Sequence, residues 1–125
     1  MKNEIYDFLK FKLDDEHYNY EFQIIPIPPY EIIENNISLE PYEYFGEINE
    51  VFNLRVRHIF LYFNADILMK VELRYRGNKL ELLKQRLEEL NNIQFSSIMF
   101  LKLYFSEKDK ETVLTYQKKD LVTHL

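Results

Sequence analysis

The chain has 125 residues, with ten Phe, ten Tyr, no Trp, two Gly and no Cys, 46% hydrophobic and 30% charged residues, and a net charge of −5. That length suits one domain, 1–125, and the balance of apolar to charged residues is that of a folded chain rather than a disordered one. The lack of cysteine excludes disulfides, thiol catalysis and thiolate metal sites, and the negative balance disfavours nucleic acid or an anionic membrane as a charge-driven partner.

Met1 to Leu13 contains Glu4 and Asp7 and has no unbroken apolar run, so it does not read as a secretory signal. The longest uncharged stretch, Leu90 to Leu101, is 12 residues, against the roughly 20 that a membrane helix needs. The expectation is a soluble, cytoplasmic protein. Asn3 could cap a helix to about Leu13, with Ile5, Phe8, Leu9 and Leu13 on one face. Asp14, Asp15 and Glu16 break that pattern. Tyr20, Phe22 and Ile24 alternate with Glu21 and Gln23 as a strand would, and Pro26, Pro28 and Pro29 stop it. Residues 26–41 read as an irregular excursion with one helical turn at 30–34. Tyr42 to Ile48 is strand-like and polar.

Residues 54–63 become apolar on both faces, as in a central strand, and Asn64, Ala65 and Asp66 supply a turn. Ile67, Met69, Val71, Leu73 and Tyr75 then alternate with Leu68, Lys70, Glu72, Arg74 and Arg76, which predicts a hairpin partner with one solvated face. Lys79 to Asn92 reads as a helix with Leu80, Leu83, Leu87 and Leu90 on one stripe. Strands follow at about 95–105 and 112–117, joined by a charged turn at 106–110. The two glycines argue against many tight hairpin turns. The expected class is α+β, a mainly antiparallel sheet of four to six strands with two helices packed on one face.

Charge is partitioned along the chain. The 42 residues from 13 to 54 hold no Lys or Arg, ten of the carboxylates, all four prolines and five tyrosines, giving −10 there and +5 elsewhere. Such asymmetry points to a basic partner. Tyrosine offers large contact area with a polar tip at low entropic cost, and carboxylates around it steer a cationic protein and reject acidic ones. The expected partner-binding residues are Tyr30, Glu31, Glu34, Glu40, Tyr42, Glu43, Tyr44, Glu47 and Glu50. A solvated surface is the bland alternative, as is internal pairing with the sheet's Arg55, Arg57, Lys70, Arg74 and Arg76.

The Asp14-Asp15-Glu16-His17 cluster is the one local set with metal-ligand chemistry, and a divalent-metal-binding or small hydrolytic enzyme built on it is an alternative. Consecutive residues rarely converge on one ion, so a solvated turn is the preferred reading and neither metal nor cofactor is expected. His58 lies in an apolar strand with no nucleophile near it in sequence. Ser96 and Ser97 lack a nucleophile elbow, and His124 is near the end of the chain. No phosphate loop, zinc spacing or dinucleotide fingerprint is present.

The charge logic of residues 13–54 is similar to that of bacterial immunity proteins, small cytosolic inhibitors that block the basic active site or surface of a toxin nuclease. The similarity is one of physical strategy. It implies a non-enzymatic inhibitor, monomeric or a weak homodimer, that binds a basic toxin or nuclease without touching nucleic acid itself. A homo-oligomeric accessory protein, pairing through Tyr42 and Tyr44 on an edge strand, is a further alternative.

Overall fold

The computed structural model describes residues 4–89 and 99–119. The elements run α1 (Glu4–Leu9), β1 (Ile24–Pro26), β2 (Ile32–Glu34), β3 (Ile37–Tyr44), β4 (Glu50–Val51), β5 (Leu54–Arg55), β6 (His58–Asn64), β7 (Ile67–Arg76), α2 (Leu80–Glu88), β8 (Met99–Ser106) and β9 (Glu111–Lys118), with a 3-10 turn at His17–Tyr20. Seven strands form one antiparallel sheet in the order β1-β3-β6-β7-β9-β8, β2 pairing with β3 at its other end. β4 and β5 make a separate small hairpin.

The expected two-helix α+β layer is corrected here. The chain is half strand and only 16% helical, and α2 is the one helix of more than two turns among the described residues. The first helical pattern stops at Leu9 because Lys10 takes φ +77, after which Phe11 and Leu13 turn into the core at 0% and 5% exposure. Leu9 and Leu13, four residues apart and both buried, therefore keep the spacing of a helical stripe although the helix has ended. Residues 30–34 form β2 and its approach rather than a helical turn, and residues 21–23 form a turn rather than a strand. Asn3, Leu90–Ile98 and His124 lie outside the described residues.

The expected β6–β7 hairpin is present, Leu61 opposite Val71 and Asn64 opposite Ile67, with a bulge beyond Tyr62. The strand expected over 54–63 is divided, however, Leu54–Arg55 pairing with β4 instead. Its two turn residues, Ala65 and Asp66, take φ +50 and +68. Asn35–Asn36 and Phe52–Asn53 do the same between β2 and β3 and between β4 and β5, at φ +52 and +68, and +60 and +61. Tight turns therefore do exist, and the low glycine count was a poor guide. Asn and Asp tolerate the left-handed region that primed hairpin turns require, because their short polar side chains bond the local backbone.

One face of the sheet carries the core. Ile59, Leu61 and Phe63 of β6, Val71, Leu73 and Tyr75 of β7, and Leu114 and Tyr116 of β9 pack with Leu83 of α2, Leu9, Phe11, Val51 and Phe52. Removing each such side chain from water contributes about 1.5–3 kcal/mol. The buried polar tips are satisfied: Tyr75 donates to the Val51 carbonyl at 3.1 Å, and Tyr116 to that of Phe11. Arg86 of α2 donates to the Phe52 carbonyl, tying helix to hairpin.

Candidate functional site on the open face of the sheet

The opposite face has no helix over it among the described residues. Its floor is made of His58, Phe60 and Tyr62 from β6, Glu72 and Arg74 from β7, and Thr115 and Gln117 from β9, each the register partner or neighbour of the next. The β2–β3 arm curls over this face. Its underside rests on a small apolar cluster of Leu39, Met69, Ile37, Tyr62 and Ile67, and Glu34 accepts from Lys70 Nζ at 3.0 Å and from Gln117 Nε2 at 3.1 Å. Two hollows on this face share Glu72 as a wall, and the smaller one is also lined by Glu34 and Asn35 of the arm. The larger, of about 520 Å³, is lined by Ile27, Arg57, His58, Phe60, Tyr62, Glu72, Arg74, Asp109 and Glu111.

Arg74 organises that hollow. Its guanidinium contacts Glu72 at 2.5 Å and both Asp109 and Glu111 at 3.2 Å. Burial works against its charge, but these carboxylates outweigh it and raise the pKa further above the usual arginine value. Arg57 adds a 3.5 Å contact to Glu111. The Tyr62 hydroxyl is held protonated well above the usual tyrosine range by burial and then by the charge of Glu72. His58 donates or accepts at Nδ1 with Glu43 at 2.8 Å and stacks on Phe60, centroids 5.8 Å apart. A carboxylate-oriented imidazole is a competent acid-base group. Among the described residues, the lining holds no Ser, Thr or Cys to act as a nucleophile.

The sequence-chosen binding residues are distributed unevenly. Glu31, Glu40, Glu47 and Glu50 are exposed, as is Tyr30 at 61%; Glu31 is bonded by the Ser38 hydroxyl. Glu34 and Glu43 are half-buried on the open face and paired as described. Tyr42 is half-buried against Phe63 and His17. Tyr44 is a core residue, 7% exposed, packed on Phe11 and Tyr20, with its hydroxyl accepting from the Ile48 amide at 3.2 Å. It offers a partner almost no contact area, because at the end of β3 Tyr44 faces the core with Tyr42 packed against the same cluster. The pairing of Tyr42 and Tyr44 across an exposed edge is likewise not available, since β3 lies between β1 and β6.

The 14–17 cluster disperses. Asp14 pairs with Lys118 at 2.5 Å, Asp15 accepts from the Tyr20 hydroxyl at 2.7 Å, and the His17 ring makes T-shaped contacts with Tyr42 and Phe63 at 5.0 and 5.1 Å. No group of three His, Cys, Asp or Glu side chains able to hold a metal ion occurs among the described residues. The His17 Nε2 is buried without a hydrogen-bond partner there, set between two aromatic rings, where a ring N–H is tolerated as a weak donor to π electrons.

Sequence reasoning missed the apolar half of the surface. Of nine large hydrophobic side chains exposed among the described residues, six fall in the base-free segment: Tyr18, Phe22, Ile25, Tyr30, Ile33 and Phe45. Phe22 had been placed inside a strand; at 86% exposure it crowns a turn. The signal was available in Phe22, Ile24 and Ile25, which cannot all face one way on either side of a strand start. Glu16, Glu21, Glu40, Glu47 and Glu50 form no ion pair among the described residues. The sheet's own carboxylates neutralise Arg74, so the acidic segment keeps most of its charge.

No family model, curated protein or solved structure matches the chain. No helix among the described residues is long and apolar enough to cross a membrane.

Proposed function

We propose that the chain is a small acidic protein-binding inhibitor of immunity type, which neutralises a basic toxin or nuclease by covering its cationic site or surface. The observation that carries this reading is the coincidence of charge and exposed apolar area. Among the described residues, two-thirds of the large exposed hydrophobic side chains occur in the one segment without a basic residue. Solitary exposed apolar residues are ordinary, but several in one stretch of sequence, interspersed with carboxylates that form no ion pair among the described residues, suit an interface. Phe22, Ile25 and Phe45 supply area to be desolvated, and Glu21, Glu40 and Glu47 supply attraction at a distance. A nuclease holds phosphates with cations, so its own site is the complement of this surface.

Docking proceeds through side chains rather than by strand addition. The outer edge of β1 contains Pro26, which has no amide hydrogen to offer a new ladder. The test is association kinetics with a panel of cationic nucleases at low and moderate salt. Phe45→Ser is expected to accelerate dissociation, costing ~2 kcal/mol of affinity as for a central aromatic anchor. Glu40→Lys with Glu47→Lys is expected to slow association and flatten its salt dependence, because steering is screened over about 8–10 Å. Absence of any complex at low salt with the panel defeats the reading.

A further inference from the structure

We propose that the hollow over β6 and β7 receives one arginine side chain of the basic partner. The idea rests on the inhibitor reading and gives that partner a specific anchor. Ile27 of the acidic segment forms one wall of the hollow, and Glu43, bonded to His58, stands beside it. Ile25 and Glu43 are register partners, so the exposed apolar edge runs directly into this site.

Charge selects a cation. Glu72, Asp109 and Glu111 in the lining, with Glu43 beside it, outnumber the guanidinia of Arg57 and Arg74, so the balance of charge favours a cation over a phosphate or carboxylate. Glu72 and Glu111 are committed to Arg74, but Asp109 is 46% exposed at the mouth and only its Oδ2 is engaged, by Arg74 and Ser106. Its Oδ1 has no partner among the described residues. The floor suits a planar cation, which stacks on aromatic faces better than an ammonium does. Beside the hollow, the ammonium of Lys70 already lies 5.2 Å from the centre of the Tyr62 ring, so this ring accepts a cation at its face. Arg74, held by three carboxylates, shows that a guanidinium fits the hydrogen-bonding pattern of this floor.

The experiment is an NMR titration of the full chain with N-acetyl-arginine amide, its neutral isostere N-acetyl-citrulline amide, and N-acetyl-lysine amide. Saturable shifts are expected on the rings of Phe60, Tyr62 and His58 with the arginine compound, weaker ones with lysine and none with citrulline. Asp109→Asn should weaken binding by about threefold or more, as the loss of a partly exposed charge contact does, and Glu43→Gln should act in the same direction if the first variant perturbs the Arg74 network. Shifts scattered outside the hollow, or equal binding of citrulline or lysine, overturn the proposal. Failure here is separable from failure of the inhibitor reading. A nuclease bound through Phe45 but indifferent to Asp109→Asn and Glu43→Gln refutes the arginine anchor alone, whereas arginine binding with no protein partner supports the hollow and counts against the inhibitor.

Discussion

On β6, Ile59, Leu61 and Phe63 are at most 4% exposed beneath α2 and the N-terminal chain, while His58, Phe60 and Tyr62, each one residue away, look onto an open hollow. On β7, Val71, Leu73 and Tyr75 are fully buried and Lys70, Glu72 and Arg74 lie on the other side. Strand pleating delivers both surfaces from one run of residues. The covered face is held by apolar area and by two tyrosine hydroxyls that reach backbone carbonyls. The open face is held by ion pairs that cross strands and depend on one another. The first is tolerant of charge elsewhere and intolerant of lost volume; the second is the reverse.

Leu73→Ala should therefore cost about 2–5 kcal/mol, read from the urea midpoint, while Tyr104→Ala on the open face should stay within about 0.5 kcal/mol. Similar costs for the two would erase the distinction between the faces. Arg74→Met should be the most damaging change on the open side, at about 2–3 kcal/mol. That is below the 3–5 of a fully buried pair, because Arg74 is part exposed, yet it leaves three carboxylates facing one another. Adding Glu111→Gln should recover part of the loss; a strictly additive double variant would mean the network is not coupled. At Gly46 a Cβ would sit 2.3 Å from the Tyr44 hydroxyl, so Gly46→Ala must displace a core ring and its bond to the Ile48 amide. We expect about 1–2 kcal/mol, measured as thermal midpoint.

A change of slope sharpens the comparison further. Burial raises the pKa of Tyr6, Tyr20, Tyr42, Tyr62, Tyr75 and Tyr116. In the unfolded chain they ionise near pH 10. The folded state then holds more protons above that pH, so stability is full below about pH 10 and falls as pH rises beyond it. Absorbance at alkaline pH should show one set of tyrosines ionising in the native protein and the rest only with unfolding. Smooth titration of all ten before any loss of far-ultraviolet signal would contradict this.

Much of the sheet was legible because its signals are local. The alternation from Val71 to Arg76, the Ala65–Asp66 turn and the polar turn before β9 each follow from residues within a few positions. At the start of β7 the expected faces are exchanged: Leu68 joins the main core while Ile67 and Met69 pack in the small cluster, next to the register shift beyond Tyr62. The sheet's extent was not legible, since β1 and β2 are three residues each and are defined only by their pairing with β3. The helix expected to run to Leu13 ends at Leu9; the spacing misled because Leu9 and Leu13, four residues apart, share a face in helix and extended chain alike and are both buried. For the site, composition located the acidic segment and its exposed glutamates. It could not separate Tyr44 in the core from Tyr30 in solvent, a difference set by β3's registration, nor reveal that Glu34 and Glu43 reach across the sheet. The hollow joins Ile27 to Asp109, and no sequence window contains both.

β9, the last strand of the sheet, lies between β7 and β8 and pairs with both along its whole length. A nascent chain ending at Lys110 has therefore made β7 and β8 without the strand that joins them, and two long ladders stand open. Tyr116, whose hydroxyl reaches the carbonyl of Phe11 across 105 residues of sequence, has not yet been added at that point. Closure of the core must wait until β9 emerges, and pairing over such separations is slow. Until then the unfinished molecule exposes unpaired apolar strands, so its yield in a cell should respond to chaperones that shelter nascent chains more than its final stability would suggest.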